Sequence, residues 1–123
     1  MGKKKIMVID DEKTICEAIE FLLENEGYDV TTAYNGEEGL MKIYKQPPDM
    51  LIIDLLMPKM NGFKVVRRVR SDPAFKDIPI LMLTVVDDKF DIQEGYNSGV
   101  SDYMVKPFEV DDLVMRVKTF MES

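Results

Sequence analysis

The sequence of 123 residues contains no histidine and a single cysteine, Cys16. Without histidine, the chain cannot build a Ser-His-Asp hydrolase triad, a histidine-ligated zinc site or a histidine general base. One cysteine excludes an internal disulfide, and with no second thiol Cys16 is expected to be only a small residue in a helix. Carboxylates, lysines and hydroxyls are therefore the groups left to carry chemistry.

The chain also lacks any apolar run near the roughly 20 residues that a membrane-spanning helix requires. Its basic start, residues 1–5, leads into a short strand-like run that ends in an acid, so we do not expect a signal peptide. With 16 basic and 23 acidic side chains, the formal net charge is −7. Such a charge disfavours direct binding to nucleic acid through bulk electrostatics. We expect a cytoplasmic protein that binds neither membranes nor nucleic acid directly.

Five short apolar runs alternate with five helix-like segments along the chain. Strands are predicted at residues 5–10, 28–33, 50–54, 78–84 and 101–105. Helices are predicted at residues 12–25, from 35 to the Pro47-Pro48 pair, and at 62–70, 87–97 and 109–121. This alternation implies βαβ units and a parallel sheet with helices on both faces. We expect one α/β domain that spans residues 1–123.

The second predicted helix starts at Asn35, a good cap, with Glu38 three residues later. Its apolar residues Leu40, Met41, Ile43 and Tyr44 are expected to form the face that packs on the sheet.

The third predicted strand runs from Met50 through three more apolar residues into Asp54. Such a continuous run suggests a strand that is buried on both faces. Asp54 then lies at the carboxyl end of the strand, where open α/β sheets place their ligands. The loop that follows contains Pro58 and Asn61-Gly62, which end the strand. Because a buried carboxylate without a partner is costly, Asp54 is expected to have charged neighbours.

Four of the predicted strands end in polar residues: Asp10-Asp11, Asp54, Thr84 and Lys106. The carboxyl ends of parallel strands share one edge of the sheet, so these side chains should converge. Two carboxylates about 4 Å apart repel by roughly 4 kcal/mol at an effective dielectric constant of 20, so positive charge must offset them. Lys106 supplies one charge, and a ligand set made only of oxygens favours Mg²⁺ as a second. Such a site suits a phosphoryl group, which Asp54 could accept as a nucleophile.

In this order and spacing, the residues resemble the receiver domain of two-component response regulators, along the whole chain. The matching motifs are Asp10-Asp11, Asp54 followed by Met57-Pro58 and Asn61-Gly62, Thr84, and Lys106-Pro107-Phe108. The resemblance implies a flavodoxin-like, doubly wound fold with five parallel strands in the order 2-1-3-4-5 and five helices. It also implies Mg²⁺-dependent transfer of a phosphoryl group from a histidine kinase or a phosphotransfer protein. The resulting change of conformation would control a partner protein or an output domain in two-component signalling.

The resemblance assigns metal-binding roles to four positions. Asp11 and Asp54 would ligate Mg²⁺ directly, and Asp10 would act through a water molecule. The backbone carbonyl of Leu56 would add a further ligand. Asp54 would be the phosphorylated residue.

The resemblance also assigns the groups that respond to the phosphoryl group. Lys106 would contact a phosphoryl oxygen, and its bond to Pro107 is expected to be cis. Thr84 would move toward the phosphoryl group, and the switch aromatic Tyr103 would turn inward. The domain would not be an enzyme in the usual sense, because it would catalyse only its own phosphorylation and slow dephosphorylation.

Three apolar residues depart from the common receiver pattern. Val85 is bulkier than the small residue usual after the conserved hydroxyl. Leu56 and Val86 stand where many relatives place polar groups that guide the attacking water. We expect a long-lived aspartyl phosphate, with slow phosphorylation as an accompanying effect of Val85.

The sequence disfavours three alternatives to a signalling switch. A haloacid-dehalogenase-like phosphatase needs a second aspartate two residues after its nucleophile, where this chain has Leu56. A flavin carrier needs a Ser/Thr/Gly-rich phosphate loop after the first strand, where this chain has Asp10-Asp11-Glu12. A degenerate receiver that serves only as a scaffold is disfavoured because the five-residue set is intact. Its members are Asp10, Asp11, Asp54, Thr84 and Lys106.

Overall fold

The computed structural model describes residues 2–85 and 98–122 and shows a five-stranded parallel sheet. The strands are β1 (Lys5–Ile9), β2 (Asp29–Ala33), β3 (Met50–Asp54), β4 (Ile80–Thr84) and β5 (Asp102–Val105). Their order in the sheet is β2-β1-β3-β4-β5, with every neighbouring pair parallel. The predicted α/β class and flavodoxin-like strand order are confirmed.

Four α-helices lie within the described residues. They are α1 (Lys13–Asn25), α2 (Gly36–Lys45), α3 (Gly62–Arg70) and α4 (Val110–Met121), and a 3-10 helix at Pro73–Phe75 was not predicted. The predicted helix at residues 87–97 lies outside the described residues. None of the helices described is both long enough and apolar enough to cross a membrane.

Local sequence explains where α1, α2 and α3 begin or end. The side chain of Asn35 accepts the Glu38 N–H at 2.8 Å, and that of Asn61 accepts the Lys64 N–H at 3.0 Å. Both residues have extended backbone angles, as expected for helix caps. Gly27 adopts a φ of 95° just after α1, the left-handed conformation that commonly ends a helix and that glycine adopts without strain.

The core has two apolar layers, one on each face of the sheet. Residues of α2 and α3 pack on one face, and residues of α1 and α4 pack on the other. Every residue of β3 is buried, so the central strand is covered from both sides as predicted. The carboxyl end of β3 consequently emerges at a rigid, well-packed position.

Only two of the four residues predicted to form the apolar face of α2 are buried. Leu40 and Ile43 are buried, but Met41 and Tyr44 are 68% and 50% exposed. Gly39 lets α2 approach the sheet closely, since a Cβ there would collide with the Ile9 side chain. Leu40 and Ile43 lie on the side of the helix that faces the sheet. Met41 and Tyr44, each one residue later, lie on a side that turns away from it.

Candidate functional site

Three carboxylates meet at the carboxyl edge of the sheet, at the ends of β1 and β3. Asp10, Asp11 and Asp54 each offer an oxygen, and these oxygens lie within 4.8 Å of one another. β1 and β3 are neighbours in the sheet, with Ile9 paired to Ile53, so the residues that follow them are brought together. Asp10 and Asp54 are buried, whereas Asp11 is exposed. The predicted convergence of the acids is therefore seen in the structure.

The side chain of Lys106 reaches the same acids from the end of β5. Its Nζ lies 2.7 Å from Asp10 Oδ2 and 3.3 Å from Asp54 Oδ1. Burial opposes the charge of this amine, but its hydrogen bonds to Asp10 and Asp54 and their charges outweigh that effect and raise the pKa of Lys106. The lysine is therefore held as a cation. The peptide bond between Lys106 and Pro107 is cis, as expected.

The surroundings of Asp54 disfavour its charged form. Burial, followed by the charge of Asp10, raises the pKa of Asp54 to about 6, although Lys106 opposes the shift. The effect of burial on this pKa is therefore larger than the opposing effect of Lys106. Under this condition, further positive charge near the carboxylate would favour its charged form. The side chain remains next to solvent at one end, because it lies at the strand terminus rather than inside the sheet.

Several protein contacts hold Asp10, and those from Glu12 and Cys16 were not predicted from the sequence. Its Oδ1 accepts the N–H of Glu12 at 2.9 Å, and its Oδ2 accepts from Lys106. Its backbone carbonyl accepts the Cys16 thiol at 3.3 Å. Glu12 also places a carboxylate oxygen 3.8 Å from the Lys106 Nζ. The signal for Glu12 was available, since it directly follows the acid pair, but nothing in the sequence indicated the contact of Cys16.

Thr84 occupies the end of β4, beside β3. The register pairs Asp54 with Leu83, so Thr84 follows one residue beyond the level of Asp54. Its side chain is buried, and its carbonyl accepts the Lys106 N–H at 2.7 Å. This hydrogen bond joins the end of β5, which carries Lys106, to the end of β4.

The rim of the site carries two exposed apolar side chains. Leu56 is 52% exposed and Val85 is 60% exposed, so both are available to solvent or to a partner. Val86, the third apolar residue that departs from the common receiver pattern, lies outside the described residues. Tyr103, the expected switch residue, is buried in the apolar layer that also contains Phe75 and Val100.

The loop after β3 is tightly built against Asp54. The N–H of Gly62 donates to the carbonyl of Leu55 at 2.8 Å. A Cβ at Gly62 would lie 2.5 Å from the carbonyl oxygen of Asp54, so only glycine fits there. Lys59 has a φ of 68°, an uncommon value for a residue with a side chain. This loop fixes the backbone that presents Asp54.

The donors at this edge fit a hard divalent cation. All the side-chain donors are carboxylate oxygens, and nearby backbone carbonyls would add only further oxygen donors. Mg²⁺ favours such donors, and it is usually bound through one or two carboxylates together with water and substrate phosphate. The raised pKa of Asp54 shows that Lys106 alone leaves negative charge without full compensation.

Comparison with known proteins identifies the family. A family model described as the response regulator receiver domain matches residues 6–118. The chain is a response regulator receiver domain. Receivers are signalling modules of two-component systems, and the acidic pocket of the family uses Mg²⁺. Response regulators interact with histidine kinases and with output targets.

Individual relatives support the same assignment of this receiver. It is 42% identical over 118 residues to the alkaline phosphatase synthesis transcriptional regulatory protein PhoP of Bacillus subtilis, covering 96% of this chain and 48% of the relative. It is 38% identical to the DNA-binding dual master transcriptional regulator RpaA of Synechocystis, covering 95% and 48%. The receiver therefore spans about half the length of these curated relatives.

A solved structure matches the receiver over nearly its whole length. The chemotaxis protein CheY4 of Vibrio cholerae superposes with a TM-score of 0.93 at 35% identity. The match covers 98% of this chain and 100% of that one. The fold is thus shared with a chemotaxis protein.

Proposed function

We propose that Asp54 accepts a phosphoryl group from the phosphohistidine of a sensor histidine kinase or a phosphotransfer protein. The observation that carries this proposal is the placement of Asp54, nearly buried at a strand end with Lys106 Nζ 3.3 Å away and two further acids beside it. The chain shares its family with proteins that perform this transfer, and Asp54 is the acid that Lys106 and the tight loop after β3 both position.

The chemistry is a displacement at phosphorus. A carboxylate oxygen of Asp54 forms the new bond to phosphorus while the phosphorus–nitrogen bond of the phosphohistidine breaks. The electron pair returns to the imidazole, which takes up a proton. When bound, Mg²⁺ would supply positive charge near the phosphoryl oxygens and would be held by Asp11 and Asp54, by Asp10 through water, and by the Leu56 carbonyl.

Lys106 and Thr84 would stabilise the product. Lys106 already contacts Asp54 and can transfer a hydrogen bond from that carboxylate to a phosphoryl oxygen. Thr84 can donate its hydroxyl to another phosphoryl oxygen after a small movement. Tyr103 would then repack against the position that Thr84 leaves, which would signal the phosphorylated state to a partner protein or an output domain.

We further propose that residues 1–123 form a single receiver domain in the cytoplasm, which binds proteins rather than nucleic acid or membranes. Its only catalysis would be its own phosphorylation and slow dephosphorylation. A haloacid-dehalogenase-like phosphatase is disfavoured, because the position two residues after Asp54 carries Leu56, which cannot donate a proton.

The decisive experiment measures the mass of the intact protein after treatment with acetyl phosphate and Mg²⁺. We expect the parent to gain the mass of one phosphate and Asp54→Asn to gain none. Asp29→Asn, which changes an exposed acid on β2 in the same way, serves as the matched control and should behave like the parent. Chelation of Mg²⁺ with EDTA should abolish the gain. A phosphate on both the parent and Asp54→Asn, or on neither, would overturn the proposal.

The aspartyl phosphate should be long-lived. Leu56 is apolar and exposed at the rim, so it cannot orient a water molecule for attack on phosphorus, and Val85, also exposed there, would narrow access to the site. We expect Leu56→Asn to shorten the lifetime of the phosphoprotein, by less than the roughly 10²- to 10⁴-fold that a positioned general acid or base contributes. The decay of radiolabel from purified phosphoprotein measures it, with Leu56→Met as the control that keeps the site apolar. A parent half-life of seconds would contradict this expectation.

A further inference from the structure

Two large apolar side chains of α2 are exposed, although the sequence predicted that both would pack on the sheet. They are Met41 and Tyr44, which are three residues apart and therefore neighbours on the helix surface. A single exposed apolar side chain needs no explanation, but adjacent ones on a helix can form part of an interaction surface. Neither residue belongs to the cluster of acids at the edge of the sheet.

The helix α3 runs side by side with α2 on the same face of the sheet. At the start of α2, a Cβ on Gly36 would lie 2.9 Å from a side-chain carbon of Val65 on α3. At the end of α2, the rings of Tyr44 and Phe75 lie 5.6 Å apart, and Phe75 belongs to the 3-10 helix that follows α3. The side of α2 that carries Tyr44 therefore borders on α3.

Every charged side chain of α3 is basic. The charged residues of this helix are Lys64, Arg67, Arg68 and Arg70. The helix dipole favours bases in the last turn, which accounts for the three arginines. Lys64 lies in the first turn, where the same dipole disfavours a cation, so the stability of α3 does not explain this residue. In a chain with a formal net charge of −7, α3 is a local basic surface.

Two of these bases already serve the fold, and two do not. Arg67 and Arg70 donate hydrogen bonds to the segment that leads into β5. Lys64 and Arg68 are exposed and four residues apart, so they lie on one side of the helix. Within residues 2–85 and 98–122, their side chains take part in no hydrogen bond or ion pair. Their charges are therefore available to a partner.

The exposed residues of the two helices together form a surface with an apolar part and a basic part. The nearest acid along α2 is Glu37, one turn before Met41, so this surface is acidic only at one end. We call it the α2–α3 surface, and it consists of Met41, Tyr44, Lys45, Lys64 and Arg68.

We propose that the α2–α3 surface docks a helix of a partner protein, apolar along the stripe that makes contact and acidic on its flanks. The bases of α3 select the acidic flanks by charge complementarity. Met41 and Tyr44 suit an apolar stripe, because methionine adapts to irregular partners and tyrosine is enriched at interfaces. A helix is the element that packs along two others with residues spaced by three and four.

Larger polyanions and a second copy of this chain match the surface less well. DNA and anionic membranes present many charges, which would meet the net charge of −7 of the whole domain. A second copy carries the same net charge and would be repelled in the same way. A short acidic helix meets mainly the local bases, because charges more than about 10 Å away are largely screened at 0.1 M salt.

The test uses a fluorescent synthetic peptide as the probe and measures its binding by fluorescence anisotropy. The peptide is a helix of about 16 residues, long enough to be partly helical alone, with Leu and Phe spaced by three and four residues and Glu on both flanks. We expect Lys64→Glu with Arg68→Glu to weaken binding by at least about tenfold, because two attractions become repulsions. The milder Lys64→Gln with Arg68→Gln should lie between this variant and the parent.

The matched control is Lys3→Glu with Lys4→Glu, which changes the net charge equally at two exposed lysines outside the surface. Its affinity should stay within about twofold of the parent, since distant surface charges contribute little. An equal loss in both double variants, or no loss in either, would overturn the proposal. A parent that binds the peptide more weakly than about 1 mM would overturn it as well.

The apolar part of the surface is tested separately. Met41→Gln should weaken binding by at least about threefold, the effect of losing part of one buried apolar side chain. Met115→Gln changes a methionine that is exposed to a similar extent on α4, and it should leave the affinity unchanged. Equal effects of the two substitutions would overturn the proposal.

Three further measurements test the competing partners. A peptide with Lys in place of Glu, duplex DNA and phosphatidylglycerol vesicles should each bind more weakly than the acidic peptide. Tighter binding of any of them would overturn the proposal, as would self-association of the parent that Lys64→Glu with Arg68→Glu abolishes. That double variant should gain mass from acetyl phosphate as the parent does, so failure of this inference can be distinguished from failure of the proposed phosphoacceptor role.

Discussion

The carboxylate of Asp54 shows how a functional residue can be costly to the fold that carries it. It is buried at the end of β3, and burial together with Asp10 raises its pKa from 3.8 to about 6. The charged form is therefore less favourable in the folded protein than in the unfolded chain, even with Lys106 in contact. In the proposed transfer Asp54 attacks phosphorus as a carboxylate, so further positive charge close to it would favour the reactive form.

We predict that Asp54→Asn stabilises the metal-free protein by about 1 to 3 kcal/mol at pH 7.5, since each unit of pKa shift corresponds to about 1.4 kcal/mol. For the parent, the raised pKa means that the folded state binds the extra proton between about pH 6 and pH 4. Through this group, stability should rise as the pH falls across that window and should level off above it. Urea denaturation in EDTA measures both effects.

Asp29→Asn is the control for this prediction, because it neutralises an exposed acid outside the site. We expect its free energy of unfolding to stay within about 0.5 kcal/mol of the parent. A less stable Asp54→Asn protein would mean that Lys106 more than compensates the buried charge.

At the scale of elements, the junction between β3 and α3 decides how Asp54 is presented. The helix α3 begins at Gly62, directly against the backbone of the strand end. A Cβ at this position would meet the Asp54 carbonyl at 2.5 Å and the Leu55 Cα at 3.0 Å. Neither backbone atom can move without displacing Asp54, so Gly62 is needed to position the proposed phosphoacceptor.

We predict that Gly62→Ala lowers the free energy of unfolding by about 2 to 3 kcal/mol, the cost of overpacking against a rigid neighbour. It should also slow the mass gain from acetyl phosphate. Gly36→Ala is the graded control, because a Cβ there meets mainly the side chains of Met60 and Val65, which can shift. Gly2→Ala, with no atom within 4 Å, should be neutral. A larger loss for Gly36→Ala than for Gly62→Ala would refute the ranking.

At the scale of the whole molecule, the acidic edge of the sheet should couple metal binding to folding. Asp10 and Asp11 follow β1, and Asp54 ends β3, so their oxygens gather only when the sheet is formed. A ligand that binds only the folded state stabilises it by RT ln(1 + [L]/Kd), about 2.7 kcal/mol at a hundredfold excess over Kd.

We predict that Mg²⁺ raises the melting temperature of the parent in a concentration-dependent way and that EDTA reverses the rise. The increase should be much smaller for Asp11→Asn, while Asp29→Asn should respond as the parent does. Differential scanning calorimetry over a magnesium titration provides the measurement. An equal response from Asp11→Asn would indicate that the metal stabilises the protein somewhere else.

Much of this receiver was determined by its sequence alone. Alternating apolar runs and capped helices predicted the strands and α-helices of the described residues to within about two residues, because their signals are local. The polar residues that end four strands predicted the site, because a parallel sheet brings all its carboxyl ends to one edge. The 3-10 helix does have a local signal, the cap Asp72 followed by Pro73, although it was not predicted. No local signal showed that Met41 and Tyr44 would turn to solvent.

The tertiary structure alone decided which groups touch. It showed that Asp10 is held by Lys106 and the Glu12 amide, and that Asp54 keeps uncompensated charge. Such contacts depend on distances and burial between segments far apart in the chain, and the periodicity of a sequence carries no measure of either.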